Sequence, residues 1–166
     1  MDQLERLVAI EAIKNVKARY WYCMDVKDWA GLRDVFTDDA VFDMRGERAF
    51  ARGASPDGLP PAREAGDPMV IVGAEVIASF IRTAVESWTT VHHGHAPIID
   101  VADSDCGTAI WPLFDYIDDG RRAMQGYGHY HEEYRKVDGR WLISSVFLTR
   151  IRADGDHPSA DALRGQ

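Results

Sequence analysis

Cysteine is nearly absent from this chain: Cys23 and Cys106 are the two present, and neither belongs to a CxxC pair. That excludes a disulfide framework and a cysteine-based zinc site. Basic residues are the minority, 19 against 27 acidic, leaving a formal charge of −8 over 166 residues. Such a chain gains nothing from a phosphate backbone, so no nucleic-acid partner is expected. No apolar run approaches the roughly 18 residues that a membrane span needs, and no membrane association is expected. The opening stretch, MDQLERLVAIEAIK, is charged throughout and does not read as a signal peptide, which makes the cytoplasm the expected location. GxSxG, the P-loop and GxGxxG are missing too. Serine hydrolysis, phosphoryl transfer and dinucleotide chemistry therefore lack a sequence basis.

What is present divides into a helical half and a strand half. Residues 2–24 carry Ile13, Val16, Tyr20 and Met24 at steps of three and four, the spacing of one helix stripe. A second helix is expected over 28–36, with Trp29, Leu32 and Phe36 facing in, and a short strand over 40–44. Residues 45–68 are rich in glycine and proline and read as a long loop, a candidate lid over a pocket mouth. A third helix over 73–88 places Ile77, Phe80, Ile81, Ala84, Val85 and Trp88 at helical spacing. From Thr89 the period changes to two, and strands are expected over 91–101, 107–117, 123–136 and 141–152. Asp118-Asp119-Gly120 and Val137-Asp138-Gly139 are hairpin turns between them, so the links imply an antiparallel meander. Residues 153–166 read as a polar tail. The expectation is α+β: one domain over 1–152, three helices closed on a curved, mostly antiparallel sheet with a space between.

Several polar residues fall where apolar ones are expected. Asp25 ends the first helix, where a carboxylate opposes the helix dipole and needs solvent or a cationic partner. Asp115 shares a strand face with Trp111 and Leu113, so it needs a partner or its pKa rises. Arg150, on the face of Val146 and Leu148, is a charge partner, a bidentate carboxylate clamp, or a strand-end residue reaching solvent. Tyr20 lies on the apolar helix stripe, where a core tyrosine with a satisfied hydroxyl is the ordinary outcome. Alternation in Val91-His92-His93-Gly94-His95 puts His93 and His95 on one face and His92 on the other. His93 with His95, and His129 with His131, offer two metal ligands each, but no third-ligand spacing completes a site, so no metal is expected.

These residues resemble a known group. Glu11-Ala12-Ile13-Lys14, Tyr20, and Cys23-Met24-Asp25 with Trp29 are similar to the first helix of bile acid 7α-dehydratases and scytalone dehydratases. His92-His93-Gly94-His95-Ala96-Pro97 resembles the His-x-Gly-His-x-Pro of the former. The hairpin Tyr134-Arg135-Lys136-Val137-Asp138-Gly139-Arg140-Trp141 is similar to one found across SnoaL-like, or NTF2-like, families. The resemblance covers nearly the whole chain except 45–68. It implies an α+β cone, homotrimers or dimers, and a catalytic set of Tyr20, Asp25, His92, Asp115 and Arg150. It departs from scytalone dehydratase at Met44, which replaces a catalytic tyrosine, at Asp115, which replaces a second histidine, and at Gly128 and Tyr130. The expected pocket of Met44, Phe80, Trp111, Leu113, Tyr130, Val146 and Leu148 suits a hydrophobic ring compound, steroid-like or polyketide-like.

The expected chemistry is a cofactor-independent lyase or isomerase in which His92 removes a proton and Asp25 holds its tautomer. Its geometric requirement is an Asp25 oxygen within about 2.6–3.2 Å of a His92 ring nitrogen. A non-catalytic binding domain and an accessory subunit are the alternatives on the same fold.

Overall fold

A computed structural model describes residues 1–57, 62 and 66–156. Helix α1 (Gln3–Val26) starts where Asp2 accepts from the Glu5 amide and Glu5 accepts from the Asp2 amide, at 2.8 and 2.7 Å. This reciprocal pair satisfies two of the open donors of the first turn. The helix stops at Lys27, whose φ of 65° is left-handed. Its buried stripe is Ala9, Ile13, Lys17, Tyr20 and Met24. The stripe expected from sequence had Val16 in it; Lys17 takes that place, and Val16 is only partly buried.

Helix α2 (Trp29–Arg33) is shorter than the 28–36 expected. Phe36 does not finish it but opens strand β1 (Phe36–Asp43), which starts before the expected residue 40. Helix α3 (Arg45–Ala51) and strand β2 (Val70–Val72) also occupy sequence expected to be loop or left unassigned. The expected lid is thus partly a helix, and 58–61 and 63–65 of it lie outside the described residues. Helix α4 (Ala74–Val85) buries Ala74, Ile77, Ala78 and Ile81, whereas Phe80 is 39% exposed.

The expected first long strand divides into β3 (Thr89–Gly94) and β4 (Ile98–Val101) at Ala96-Pro97, since proline has no N–H to give a ladder. Strands β5 (Cys106–Asp118), β6 (Ala123–Val137) and β7 (Arg140–Gly155) follow. The β6–β7 turn has positive φ at Asp138 and Gly139, 50° and 77°, the twist that a two-residue hairpin favours. The sheet order is β2-β1-β7-β6-β5-β3, with β4 also on β5. It is not wholly antiparallel: β1 runs parallel to β7, with Val41 opposite Ser145 and Phe42 opposite Val146. The sheet is therefore mixed and unclosed. Register shifts at Tyr127/Gly128 and Glu133/Tyr134 bend β6 and β7, and the helices cover the concave face. Strand β7 runs past residue 152, so 153–155 belong to the sheet rather than to a tail; 157–166 lie outside the described residues. Among the described residues no helix is long and apolar enough to cross a membrane.

The core beneath α1 contains an ion pair. Lys17 Nζ donates to Glu132 Oε1 at 2.5 Å, and both side chains are fully buried. The Tyr134 hydroxyl donates to the other Glu132 oxygen, and Trp111 Nε1 donates to the Tyr134 hydroxyl at 3.1 Å. The ammonium lies 3.5 Å from the Tyr130 ring centre and 4.0 Å from that of Tyr20, within cation–π range. Burial lowers the Lys17 pKa to about 8, against the opposing pull of Glu132. Removing one partner leaves a buried charge uncompensated. Lys17→Met is expected to lower the unfolding free energy by about 3–5 kcal/mol. Lys17→Met combined with Glu132→Gln should recover most of that loss in urea denaturation. An equal loss in the double variant contradicts a charge-pairing cause.

Candidate active site

Five residues on the inner face form a row across the sheet. His92 on β3 stands opposite Asp115 on β5, Asp115 stands opposite Gly126 on β6, and Gly128 on β6 stands opposite Arg150 on β7. Side chains on one face at such positions are neighbours. Arg150 must cross β6 to reach Asp115, and glycine lets it. A Cβ at Gly126 would lie 1.9 Å from Arg150 Nη1 and 2.0 Å from Asp115 Oδ1. The guanidinium grips Asp115 through both carboxylate oxygens, at 2.7 and 3.0 Å. It also donates from Nε to Glu47 Oε1 at 2.8 Å, with Nη2 at 2.8 Å from the same oxygen. Arg150 is thus a clamp, but on two carboxylates of its own chain. Glu47 reaches it because α3 lies directly on β7: a Cβ at Gly46 would meet the Leu148 carbonyl oxygen at 2.1 Å.

Asp25 and His92 meet at the other end of the row. Asp25 Oδ1 is 2.7 Å from His92 Nδ1, inside the required range. Asp25 Oδ2 accepts from the His92 backbone N–H at 2.9 Å, and Thr90 Oγ1 donates to Oδ1 at 3.0 Å. Lys27 Nζ donates to the same Thr90 hydroxyl at 2.9 Å, so a cation stands behind the pair. These partners supply what a carboxylate at a helix C-terminus lacks. Burial alone would raise the Asp25 carboxyl, but the hydrogen bonds and charge of His92, with Thr90, hold it below its ordinary value. A carboxylate on Nδ1 keeps the imidazole proton there, which leaves Nε2 as an acceptor. Nε2 makes no hydrogen bond among the described residues, and His92 lines a cavity.

That cavity has a volume of about 450 Å³. Tyr20, Asp115, Arg150 and Glu47 line it with His92, and Met44, Phe80, Tyr130 and Leu148 of the expected pocket do too. Met24 and Met69 add further sulfur-bearing wall. Trp111, Leu113 and Val146, also expected there, are not among its lining residues and belong to the packed core. Trp111 is held away by Trp21, its ring centre 5.5 Å off and perpendicular, and by its bond to Tyr134. Tyr20 is 1% exposed; burial, followed by the charge of Glu132, raises its hydroxyl pKa, so it stays a proton-bearing donor. A separate groove of about 730 Å³, lined by Asp39, Thr108, Glu133, Arg135 and Ser145, contains none of the expected residues.

Sequence reasoning missed Lys17, Glu132 and Glu47. The first two had a signal: Lys17 is four residues from Ile13 on the stripe, and Glu132 alternates between inward Tyr130 and Tyr134. Glu47 had none, because its segment read as a loop. His93 and His95 are both exposed, and His131 meets Thr149 Oγ1 at 3.2 Å. Among the described residues no three His, Cys, Asp or Glu side chains are grouped as metal ligands.

Solved structures share this architecture. A scytalone dehydratase-like protein from Novosphingobium aromaticivorans matches with a TM-score of 0.75 over 94% of this chain and 93% of that one, at 18% identity. The hexachlorocyclohexane dehydrochlorinase LinA-type3 of Novosphingobium barchaimii matches with a TM-score of 0.73 over 95% and 96%, at 17% identity. A cystatin-like fold protein of Nostoc punctiforme, of unknown function, matches at 0.63 over 91% and 94%, with 14% identity. At these identities the likeness is one of fold, the NTF2-like cone. The SnoaL-like domain profile matches residues 5–146, and the chain belongs to that family.

Two outcomes follow from this geometry. Gly126→Ala should drive Arg150 from Asp115 and, by leaving buried charges unpaired, lower stability by about 3–5 kcal/mol in urea denaturation. A loss below about 1 kcal/mol contradicts the crossing. Because the folded Asp25 value lies below 3.8, its pairing stabilises above that pH and is lost as pH falls through the folded value. Between pH 5 and pH 2 the wild type should therefore lose more stability than Asp25→Asn. Parallel stability curves would count against the pairing.

Proposed function

We propose that this chain is a cofactor-independent lyase, of dehydratase type, or an isomerase, acting on a hydrophobic ring compound that carries a carbonyl. The observation that supports this most is the Asp25–His92 pair, 2.7 Å apart, opening onto an apolar cavity. Family membership supports the coarser part, since the family's fold neighbours bear dehydratase and dehydrochlorinase names. Both names describe loss of a group next to a carbon that gives up a proton.

In this reading His92 Nε2 takes the proton from the carbon beside the carbonyl. Asp25 fixes the imidazole ring and stabilises the imidazolium that forms, as a carboxylate does for any paired histidine. Tyr20, kept protonated by burial, donates to the oxygen on which charge develops. Asp115 and Arg150 set the local charge rather than hold a substrate acid. The guanidinium spends its donors on Asp115 and Glu47, so a substrate carboxylate finds no free cation there. A neutral substrate follows, steroid-like or polyketide-like in its ring system, and the wall of Met44, Phe80, Tyr130 and Leu148 suits one. No cofactor enters the scheme. A homo-oligomer, trimer or dimer, in the cytoplasm completes the proposal.

The test uses 2-tetralone in D2O, with loss of its proton signals beside the carbonyl followed by NMR. The wild type should accelerate exchange, and His92→Ala and Asp25→Asn should each slow it by about 10²–10⁴-fold, the scale of a lost general base. Wild-type exchange in His92→Ala, or no catalysis by the wild type, would reject His92 as the base.

A further inference from the structure

Glu47 is a second titratable group in the cavity that the base mechanism does not use. It lies on α3 against β7, whereas His92 lies on β3, with β6 and β5 between them in the sheet. The cavity therefore has the Asp25–His92 pair on one side and Glu47 on the other, with Asp115 and Arg150 between. The two Glu47 oxygens differ. Oε1 takes the Arg150 Nε and Nη2 contacts, both 2.8 Å. Oε2 has no hydrogen bond among the described residues, and it is not among the buried atoms left without a partner. Arg45, next but one in the chain, does not compensate it, because it is tied to Asp43 at 2.9 and 2.7 Å.

The charges around Glu47 explain what it carries. Asp115 already balances Arg150 through two hydrogen bonds, so an ionised Glu47 would place an excess negative charge in a water-poor space. Burial raises the Glu47 carboxyl above its ordinary value; Arg150 opposes the rise, and Asp115 adds to it. With Oε1 occupied by Arg150, Oε2 is the oxygen left open to take up a proton.

Resting on the reading of His92 as the base, we propose that Glu47 is the general acid of the site, and that the substrate is a ring ketone with a hydroxyl on the carbon β to the carbonyl. His92 Nε2 removes the α proton, and the C–H electron pair becomes the Cα=Cβ double bond. The Cβ–O bond breaks, its pair going to the oxygen, and the Glu47 Oε2 proton joins that oxygen to release water. His92 is left as imidazolium and Glu47 as carboxylate beside Arg150. One proton returns between them through solvent, and no oxidant or reductant is needed. Dehydration is thereby favoured over isomerisation, which would return the proton to carbon.

Two measurements test this. In protein labelled with ¹³C at glutamate carboxyls, the Glu47 signal is assigned by its absence in Glu47→Gln, and its titration midpoint should lie above the ordinary glutamate value of about 4.3. A midpoint at or below that value overturns the proposal whether or not His92 is the base. The second compares 2-tetralone exchange with dehydration of 4-hydroxy-2-tetralone to 2-naphthol, read by fluorescence. Glu47→Gln should lower the ratio of dehydration to exchange by about 10²-fold, the scale of a lost general acid. His92→Ala should lower both rates together. An unchanged ratio in Glu47→Gln overturns the role of Glu47 alone, while exchange that survives His92→Ala overturns the base instead.

Discussion

The guanidinium of Arg150 joins three elements over the cavity. It is anchored on β7, grips Asp115 on β5 across a glycine of β6, and holds Glu47 on α3. The Arg150 and Asp115 charges are tolerable in an apolar space only because they are paired through two hydrogen bonds. The arrangement depends on two missing side chains. Gly126 leaves the passage over the sheet, and Gly46 lets α3 touch the backbone of β7. Without this tie, the cavity would lose the wall that α3 supplies and acquire unpaired charge in the same step.

Asp25 and His92 use a different kind of support. Their contact joins the last turn of α1 to β3 through side chain and backbone alike, since one carboxylate meets both the ring nitrogen and the amide of the same residue. That fixes the ring in position as well as in tautomer. Farther along α1, Lys17 and Glu132 fill the space beneath Tyr20 and Tyr130, so the floor of the cavity is as rigid as its polar row. A helix that carries a buried cation on its apolar stripe is bound to the sheet by a specific partner as well as by packing.

Much of this was legible in the sequence, and the omissions have physical causes. The periods of 3.6 and 2 located α1, α4 and the strands from β3 onward, and Asp138-Gly139 announced its hairpin. Asp25 was legible as a residue out of place, a carboxylate at a helix end. Alternation separated His92 from His93 and His95 without telling which face was inward, and the resemblance to the dehydratases singled His92 out. The parallel pairing of β1 with β7 was not, because residues so far apart are joined by no turn whose chemistry could be read. Helix α3 has seven residues and is held by packing on β7, so its local sequence carries little helical pattern. Glu47 was hidden with it. Trp111, Leu113 and Val146 show a finer limit: alternation tells which face a residue is on, not how deep along that face the open space ends.

The methionines Met24, Met44 and Met69 give the cavity a divided character. Thioether chains are unbranched and polarizable, and they repack around different shapes at small cost. The polar row and the tyrosine floor have no such latitude, being held by charge and ring contacts. Tolerance for the outline of a guest and intolerance for the position of its reacting carbon then reside in separate parts of one small chamber. A lineage that kept the row and exchanged the methionines could shift from one ring skeleton to another without rebuilding its chemistry.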